Sequence, residues 1–284
     1  MAGVSYPLKP FSFKDLGGGL NTRDNPTGLA PNETDFILNY TFSKGGGLSS
    51  RLGMTLIGTF PGTGANQGLW PFLSESEGEL LLGVQGGILY SMNMSNGATT
   101  SLLTGLSATD MFDGEALGDS YYITSPTDGI IRIYYSGVTL TALAVSGSPK
   151  AACITDDGLG RLYASGVATA RDRVYFCAFG NGTDWTSNAN AGYFDITGSE
   201  LDDNDFINVL KRSGSNIYAG RNSGAFQISG GNPFSISVNP LPYNQGMIGQ
   251  KAYVVLDNWG HFLTQRHGVW ALKLLFSRDK IRQG

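Results

Sequence analysis

The stretch IIRIYYSG, residues 130–137, decides the fold class. Its first six residues are almost all apolar, β-branched or aromatic, and a Ser-Gly pair follows, which is typical of a short strand buried on both faces and closed by a turn. Similar runs recur along the chain, whereas apolar residues at helical spacing are almost absent. The sequence therefore predicts an all-β protein. The other runs are MTLIGTF, ELLLGV, GGILYSM, DSYYIT, GRLYASGV, DRVYFCAF, INVLKR, SNIYAGR, GAFQISG, KAYVVLD, HFLTQ and GVWALKLLF.

A spaced repeat predicts the architecture. A Gly or Asp, an apolar residue and then Tyr or Trp recur at Tyr90, Tyr134, Tyr175, Tyr218 and Trp270, at spacings of 44, 41, 43 and 52 residues. Four-stranded propeller blades repeat at about 40–45 residues. We therefore expect a β-propeller of about five blades over residues 54–276, with MTLIGTF as an outer strand of the last blade. A β-sandwich with long insertions is the competing layout.

The first 53 residues have a different composition, with Gly, Pro, Asn or Asp at nearly every place where a strand or helix would begin. We expect an extended N-terminal arm, with residues 277–284 as a C-terminal tail. An arm of this kind is stabilised by lying across a neighbouring subunit, or else by packing on its own propeller. The residues expected to anchor it to a partner are Phe11, Phe13, Phe36, Ile37, Leu38 and Arg51.

Composition narrows the functional classes. The chain has 284 residues, 15% of them charged, a net charge of -4 and 41 glycines. Without a global basic field, tight binding to nucleic acid or to an anionic membrane is not expected. No apolar run approaches the ~18 residues of a membrane span, and the N-terminus does not read as a signal peptide. Cys153 and Cys177 lie in apolar, strand-like settings and are expected to be buried thiols.

Residues with catalytic chemistry are few, and we predict no catalytic residue, cofactor or metal. His261 and His267 are the only histidines, and turn positions suit them better than a zinc site, which needs three or four clustered ligands. A Gly-x-Ser-x-Gly nucleophile motif does not occur. ELDDNDF (200–206) resembles the start of a calcium loop but lacks the glycine and the distant glutamate of that motif.

Two other kinds of site are left open by the residues. Paired carboxylates could serve a glycan-cleaving enzyme, although fold analogy is a weak reason to expect one. Exposed aromatics such as Trp70, Trp185 and Trp259 could bind sugars, although a strand-rich core absorbs most aromatics.

The order of the motifs resembles that of a phage protein group. The opening segments DLGGGLN, PTGLAPNETDFILNY and GGGLSSRLGM are similar to the start of the tail-nozzle and packaged-DNA stabilisation (tail hub) proteins of tailed phages. Later segments continue the likeness and extend it over most of the chain. They are RDRVYFCAFGNGTDWTSNANAGYFDI (171–196), INVLKRSGSNIYAGRNSGAFQISG (207–230), VVLDNWGHFLTQRHGVWAL (254–272) and FSRDKIRQ (276–283).

The resemblance implies a non-enzymatic virion protein, made in the host bacterial cytoplasm. Such proteins are propellers that form oligomeric rings beneath the portal and adaptor and retain and later conduct the genome, so the expected partners are other copies, portal or adaptor proteins, and DNA that passes without tight binding. Membrane insertion is not expected. A sugar- or receptor-binding propeller at the tail tip, or a fibre anchor, is the alternative. The acids expected to face a DNA lumen are Asp156, Asp157, Asp202, Asp203 and Asp205.

Overall fold

The structure is a computed structural model. It describes residues 55–74, 78–187, 190–196, 205–230 and 235–241 in full, residues 246, 247, 249, 251 and 253, and the backbone of seven further strand segments. The chain divides into two compact units, residues 1–56 and 57–284. The described residues contain strands but no α-helix, and therefore no helix that could cross a membrane.

The first unit contains two small pairs of strands. Strands β1 (Gly19–Leu20) and β2 (Glu33–Thr34) pair in parallel, and β3 (Tyr40–Phe42) and β4 (Leu48–Ser50) form an antiparallel hairpin. The segment predicted as an extended arm therefore includes short paired strands. Its six predicted anchors, Phe11, Phe13, Phe36, Ile37, Leu38 and Arg51, lie outside the described residues.

The second unit consists of successive antiparallel sheets in which each strand pairs with the next in sequence. The first sheet contains β5 (Asn66–Ser74), β6 (Gly78–Gln85), β7 (Ile88–Asn93) and β8 (Thr99–Leu103). The second contains β9 (Asp113–Leu117), β10 (Ser120–Ser125), β11 (Gly129–Tyr135) and β12 (Leu140–Ala144). The third contains β13 (Cys153–Asp156), β14 (Leu162–Val167), β15 (Ala170–Phe176) and β16 (Gly192–Asp195).

The same order continues to the end of the described residues. The fourth sheet contains β17 (Val209–Ser213), β18 (Asn216–Gly220), β19 (Ala225–Ser229) and β20 (Ser237–Pro240). The fifth contains β21 (Tyr253–Leu256), β22 (Trp259–Thr264) and β23 (Gly268–Lys273). Tight glycine turns make this layout possible: Gly86 and Gly87, between β6 and β7, both have positive φ, as a two-residue hairpin turn of the primed type requires.

These sheets form a β-propeller. The first strands of successive sheets lie next to one another, β5 beside β9, β9 beside β13, β13 beside β17 and β17 beside β21. The Lys251 Nζ donates to the Gln67 carbonyl oxygen at 3.4 Å, which links the segment before the fifth sheet to the first sheet. The all-β propeller prediction is confirmed, while the number of blades stays a prediction.

The repeat that predicted the propeller falls on equivalent strands with one exception. Tyr90, Tyr134, Tyr175 and Trp270 lie on the third strands of their sheets, whereas Tyr218 lies on a second strand. Tyr218 therefore lies one strand earlier in its sheet than the other four residues do in theirs.

Apolar clusters fill the spaces between neighbouring sheets. Ile131 packs between the first and second sheets, whereas its neighbour Ile130 packs between the second and third. The predicted burial of the IIRIYYSG strand on both faces is therefore confirmed. Cys153 and Cys177 are free, buried thiols in these clusters, also as predicted.

The segment MTLIGTF does not form the predicted closing strand. Residues 55–60 form no strand, and the Phe60 ring stacks on Tyr90 of the first sheet with centroids 5.6 Å apart. Gly97 also lies against this segment, because a Cβ there would meet the Ile57 carbonyl oxygen. The prediction that this segment joins the last blade is wrong, because residues 55–60 form no strand and Phe60 packs on the first sheet.

Burial between sheets predicts which leucines stabilise the fold. Leu82 is fully buried between the first and second sheets, while Leu73 on the same sheet is exposed. We expect Leu82→Ala to lower the free energy of unfolding by about 2–5 kcal/mol, because it removes buried methyl groups and leaves a cavity. The matched control Leu73→Ala should stay within about 0.5 kcal/mol of the parent. Urea unfolding measures both; equal losses would contradict the packing described.

Candidate functional site at the propeller axis

Charged side chains converge where the first strands meet. Asp113 lies on β9, Asp156 on β13, and Lys211 and Arg212 on β17. A buried charge is costly unless it is paired and hydrogen-bonded, so the partners of each group decide what the site can do.

Asp113 connects three sheets. It is only 7% exposed; its Oδ2 accepts a hydrogen bond from the Ile154 N–H at 2.9 Å, and its Oδ1 lies 3.4 Å from the Lys211 Nζ. Ile154 belongs to the third sheet and Lys211 to the fourth, while Asp113 itself belongs to the second. The second and fourth sheets both flank the third, so the ion pair links the two neighbours of the third sheet.

A second pair joins the third and fourth sheets. The Arg212 Nε lies 2.9 Å from the Asp156 Oδ1, and the Arg212 backbone N–H donates to the Thr155 Oγ1 at 3.1 Å. The Asp156 Oδ2 accepts from the Gly158 N–H at 3.1 Å. Burial raises the pKa of Asp156 although Arg212 opposes the shift. The ion pair therefore offsets part of the cost of burying this carboxylate.

Other groups titrate in the same low-dielectric surroundings. Burial, and then the charge of Asp156, raises the pKa of Glu115 on β9, while Lys211 opposes the shift. Burial lowers the pKa of Lys251 although the charge of Asp113 opposes this. Both shifts disfavour the charged form, which is what poorly hydrated surroundings produce.

The charged groups of this arrangement link neighbouring parts of the fold to one another. Asp113 and Asp156 each have a cationic partner and a backbone donor, so neither is presented as a free base. Within the described residues there is no group of three His, Cys, Asp or Glu side chains placed to hold a metal ion.

The predicted lumen acids occupy different settings. Asp156 belongs to the axial pairs, whereas Asp157 holds the next turn, its Oδ1 accepting from the N–H groups of Leu159, Gly160 and Arg161 at 2.7, 2.9 and 3.0 Å. Asp202 and Asp203 lie outside the described residues. A DNA-lumen role for these acids stays a prediction.

Asp205 is a buried turn residue. Its carboxylate accepts from the N–H groups of Asn222 and Ser223 at 3.0 and 2.7 Å, and also from the Ser223 hydroxyl. Burial raises the pKa of Asp205, but the hydrogen bonds from Ser223 and Asn222 outweigh it and the net shift is downward. This carboxylate therefore ties the approach to β17 to the β18–β19 turn.

The aromatic and histidine candidates do not form a site among the described side chains. Trp185 is buried, with its Nε1 donating to the Gly182 carbonyl oxygen at 2.8 Å, and Trp70 packs against the first core cluster. His261 lies on β22 and Trp259 begins that strand, but their side chains, like all of His267, lie outside the described residues.

Sequence reasoning missed Asp113 and Lys211. A signal existed in FDGEAL (112–117) and VLKRS (209–213), where charged residues interrupt the first strand of a sheet that is otherwise set to be buried. Knowing that these are first strands is what places the charges at the axis.

Comparison with known proteins supports the fold alone. No protein-family model and no curated protein matches the chain. It is similar to the extracellular domain of a hybrid two component system from B. thetaiotaomicron, with a TM-score of 0.50 and 11% identity over 73% of this chain and 28% of that one. The Neurospora crassa Pan2 WD40 domain gives a TM-score of 0.45 and 11% identity over 70% and 63% of the two chains. BamB from Moraxella catarrhalis gives a TM-score of 0.47 and 9% sequence identity, over 83% of this chain and 66% of BamB.

The raised pKa of Glu115 predicts a pH-dependent effect on stability. The folded chain holds this proton more tightly than the unfolded chain, whose glutamate has the ordinary value of 4.5. The resulting stabilisation is present below that value and is lost as the pH rises through the raised pKa. Glu115→Gln should therefore unfold at higher urea than the parent at about pH 7.5, with the gain vanishing near about pH 4.

The matched control is Glu79→Gln, which changes an exposed carboxylate on β6. It should leave the urea midpoint unchanged at both pH values. A loss of stability in Glu115→Gln at neutral pH would show that the charged form of Glu115 helps the fold, contrary to this account.

Proposed function

We propose that the chain is a structural component of a tailed-phage virion, located in the head–tail or tail-nozzle region. It acts there as a subunit of an oligomeric ring that helps to retain and conduct the packaged genome, and not as an enzyme. The proposal is supported by the ordered motifs between residues 15 and 283 that resemble this group of phage proteins. It is also supported by the carboxylates of Asp113 and Asp156, which form ion pairs within the chain.

The observation that carries an oligomeric role is a set of large apolar side chains exposed at one end of the propeller. Val138, Leu159 and Phe179 are 80%, 56% and 65% exposed. Leu159 follows the first strand of the third sheet. Val138 and Phe179 lie in loops that connect the third strand of a sheet to its fourth strand. Consecutive strands are antiparallel, so these positions share one end of the sheets. Large apolar residues grouped on one surface mark protein–protein contacts.

In this proposal the genome passes through the central opening of the ring, between subunits. A net charge of -4 fits a passage that does not grip a polyanion. Portal, adaptor or other tail proteins are the expected neighbours above and below the ring, without membrane insertion.

The N-terminal arm is proposed to hold neighbouring subunits together. Its sequence is rich in Gly, Pro, Asn and Asp, which suits a segment stabilised by contact with another subunit. In this proposal the arm docks on the next subunit or on an adaptor through Phe11, Phe13, Phe36, Ile37, Leu38 and Arg51.

The exposed apolar end predicts a variant that does not assemble. The double substitution Leu159→Asp and Phe179→Asp places two charges on that end, and should convert a multimer into monomers because charges are poorly tolerated in a buried interface. Sedimentation velocity of the full chain measures the change. Leu143→Asp, an exposed apolar position on outer strand β12, is the matched control and should assemble like the parent. A double variant that assembles like the parent would contradict the proposed interface.

Cryo-electron microscopy of particles from the source of the chain tests the virion role. The expected result is a symmetric ring of this protein around the DNA axis, with residues 1–53 lying across an adjacent subunit. A chain lacking residues 1–53 should fold, as judged by its urea midpoint, and should be missing from particles. Absence of the full chain from particles would overturn the proposal, and normal incorporation of the truncated chain would overturn the role of the arm.

A further inference from the structure

A pocket of about 320 Å³ opens beside the β9–β10 turn, away from the axial pairs. This size lies within the range of ordinary small-molecule sites. The pocket combines apolar, aromatic, hydroxyl and charged groups, and none of the tryptophans considered for sugar binding lines it. Its lining residues are Leu73, Ser74, Gly118, Asp119, Ser120, Arg132, Tyr134 and Tyr135.

Arg132 is the cationic group of the pocket. Its Nε donates to the Ser120 Oγ at 3.0 Å, and its guanidinium carbon lies 4.2 Å from the centroid of the Tyr134 ring. These two contacts fix the plane of the guanidinium on a half-buried strand position. Across the described part of the chain no carboxylate lies within ion-pair distance of Arg132, so its terminal N–H groups have no anionic partner.

A fixed guanidinium with its terminal N–H groups available suits a carboxylate, because the fork of donors matches two carboxylate oxygens. The contacts of Arg132 with Ser120 and Tyr134 orient the guanidinium without neutralising its charge. A ligand with one carboxylate would match the fork of donors and neutralise the charge.

The other residues that line the pocket indicate which kind of molecule carries the ligand's carboxylate. The exposed Asp119 in the turn repels a dianion such as phosphate more strongly than a monocarboxylate, and it accepts hydrogen bonds from hydroxyl groups. Leu73 and the tyrosines supply apolar surface of the kind that covers the C–H faces of a sugar ring. The Tyr135 hydroxyl donates to the Val138 carbonyl oxygen at 3.3 Å, which holds one wall of the pocket.

The geometry points to a binding site for a carboxylate-bearing saccharide of the hexuronate type. The Arg132 guanidinium binds the carboxylate, Asp119 accepts from ring hydroxyls, and the apolar wall covers the ring. The site stands on the pocket alone and goes beyond the proposed function, since it does not depend on assembly into a virion.

The test is calorimetric titration of the full chain with sodium D-glucuronate, D-glucose and inorganic phosphate. Glucuronate should bind saturably and more tightly than either of the others. Arg132→Gln should weaken glucuronate binding by about tenfold or more, because a charge-assisted bidentate contact is lost. Lys150→Gln, which removes one positive charge at an exposed position outside the pocket, should bind like the parent.

A second variant guards against a folding effect of Arg132→Gln. Asp119→Ala lies in an exposed turn, should keep the urea midpoint of the parent, and should weaken glucuronate binding by removing the hydroxyl acceptor. No glucuronate binding by the parent would overturn the inference, as would equal binding by the parent and both variants. Phosphate bound as tightly as glucuronate would overturn the saccharide class.

Discussion

The buried carboxylate of Asp113 is the constraint on which the centre of this propeller depends. One oxygen accepts a backbone N–H from the third sheet and the other faces the ammonium group of Lys211 on the fourth. A buried carboxylate that lost either partner would leave an uncompensated charge, at a cost of several kcal/mol. The positions of three sheets are therefore tied to one side chain.

Apolar side chains and hydrogen-bonded carboxylates stabilise different parts of the molecule. Leu82, Ile130 and Ile131 fill the spaces between the flat faces of neighbouring sheets, where side chains can interdigitate. The axis and the loops are held by carboxylates such as Asp113, Asp157 and Asp205, because backbone N–H groups there lack strand partners. This division leaves the apolar side chains at one end of the propeller available for contacts between subunits, as proposed.

The sequence predicted the fold class well and the roles of individual residues poorly, for physical reasons. Strand periodicity and the aromatic repeat are local patterns, so the all-β propeller could be read from them. MTLIGTF has the same local pattern, but its packing on Tyr90 depends on contacts across the fold. The hydrogen bonds of Asp205 with the turn at Asn222 and Ser223 could not be read from the sequence, because they join residues 17 and 18 positions apart. Nothing local in the sequence could have paired Asp113 with Lys211, which are 98 residues apart.

Ion pairs between sheets link the centre of this propeller internally. A double-mutant cycle of Asp113→Asn and Lys211→Met, followed by urea unfolding, tests this central claim most directly. If the pair holds the axis together, the two effects will be coupled by about 1 kcal/mol or more. Effects that add to within about 0.3 kcal/mol would show that the two residues act independently, and would contradict the account of the axis.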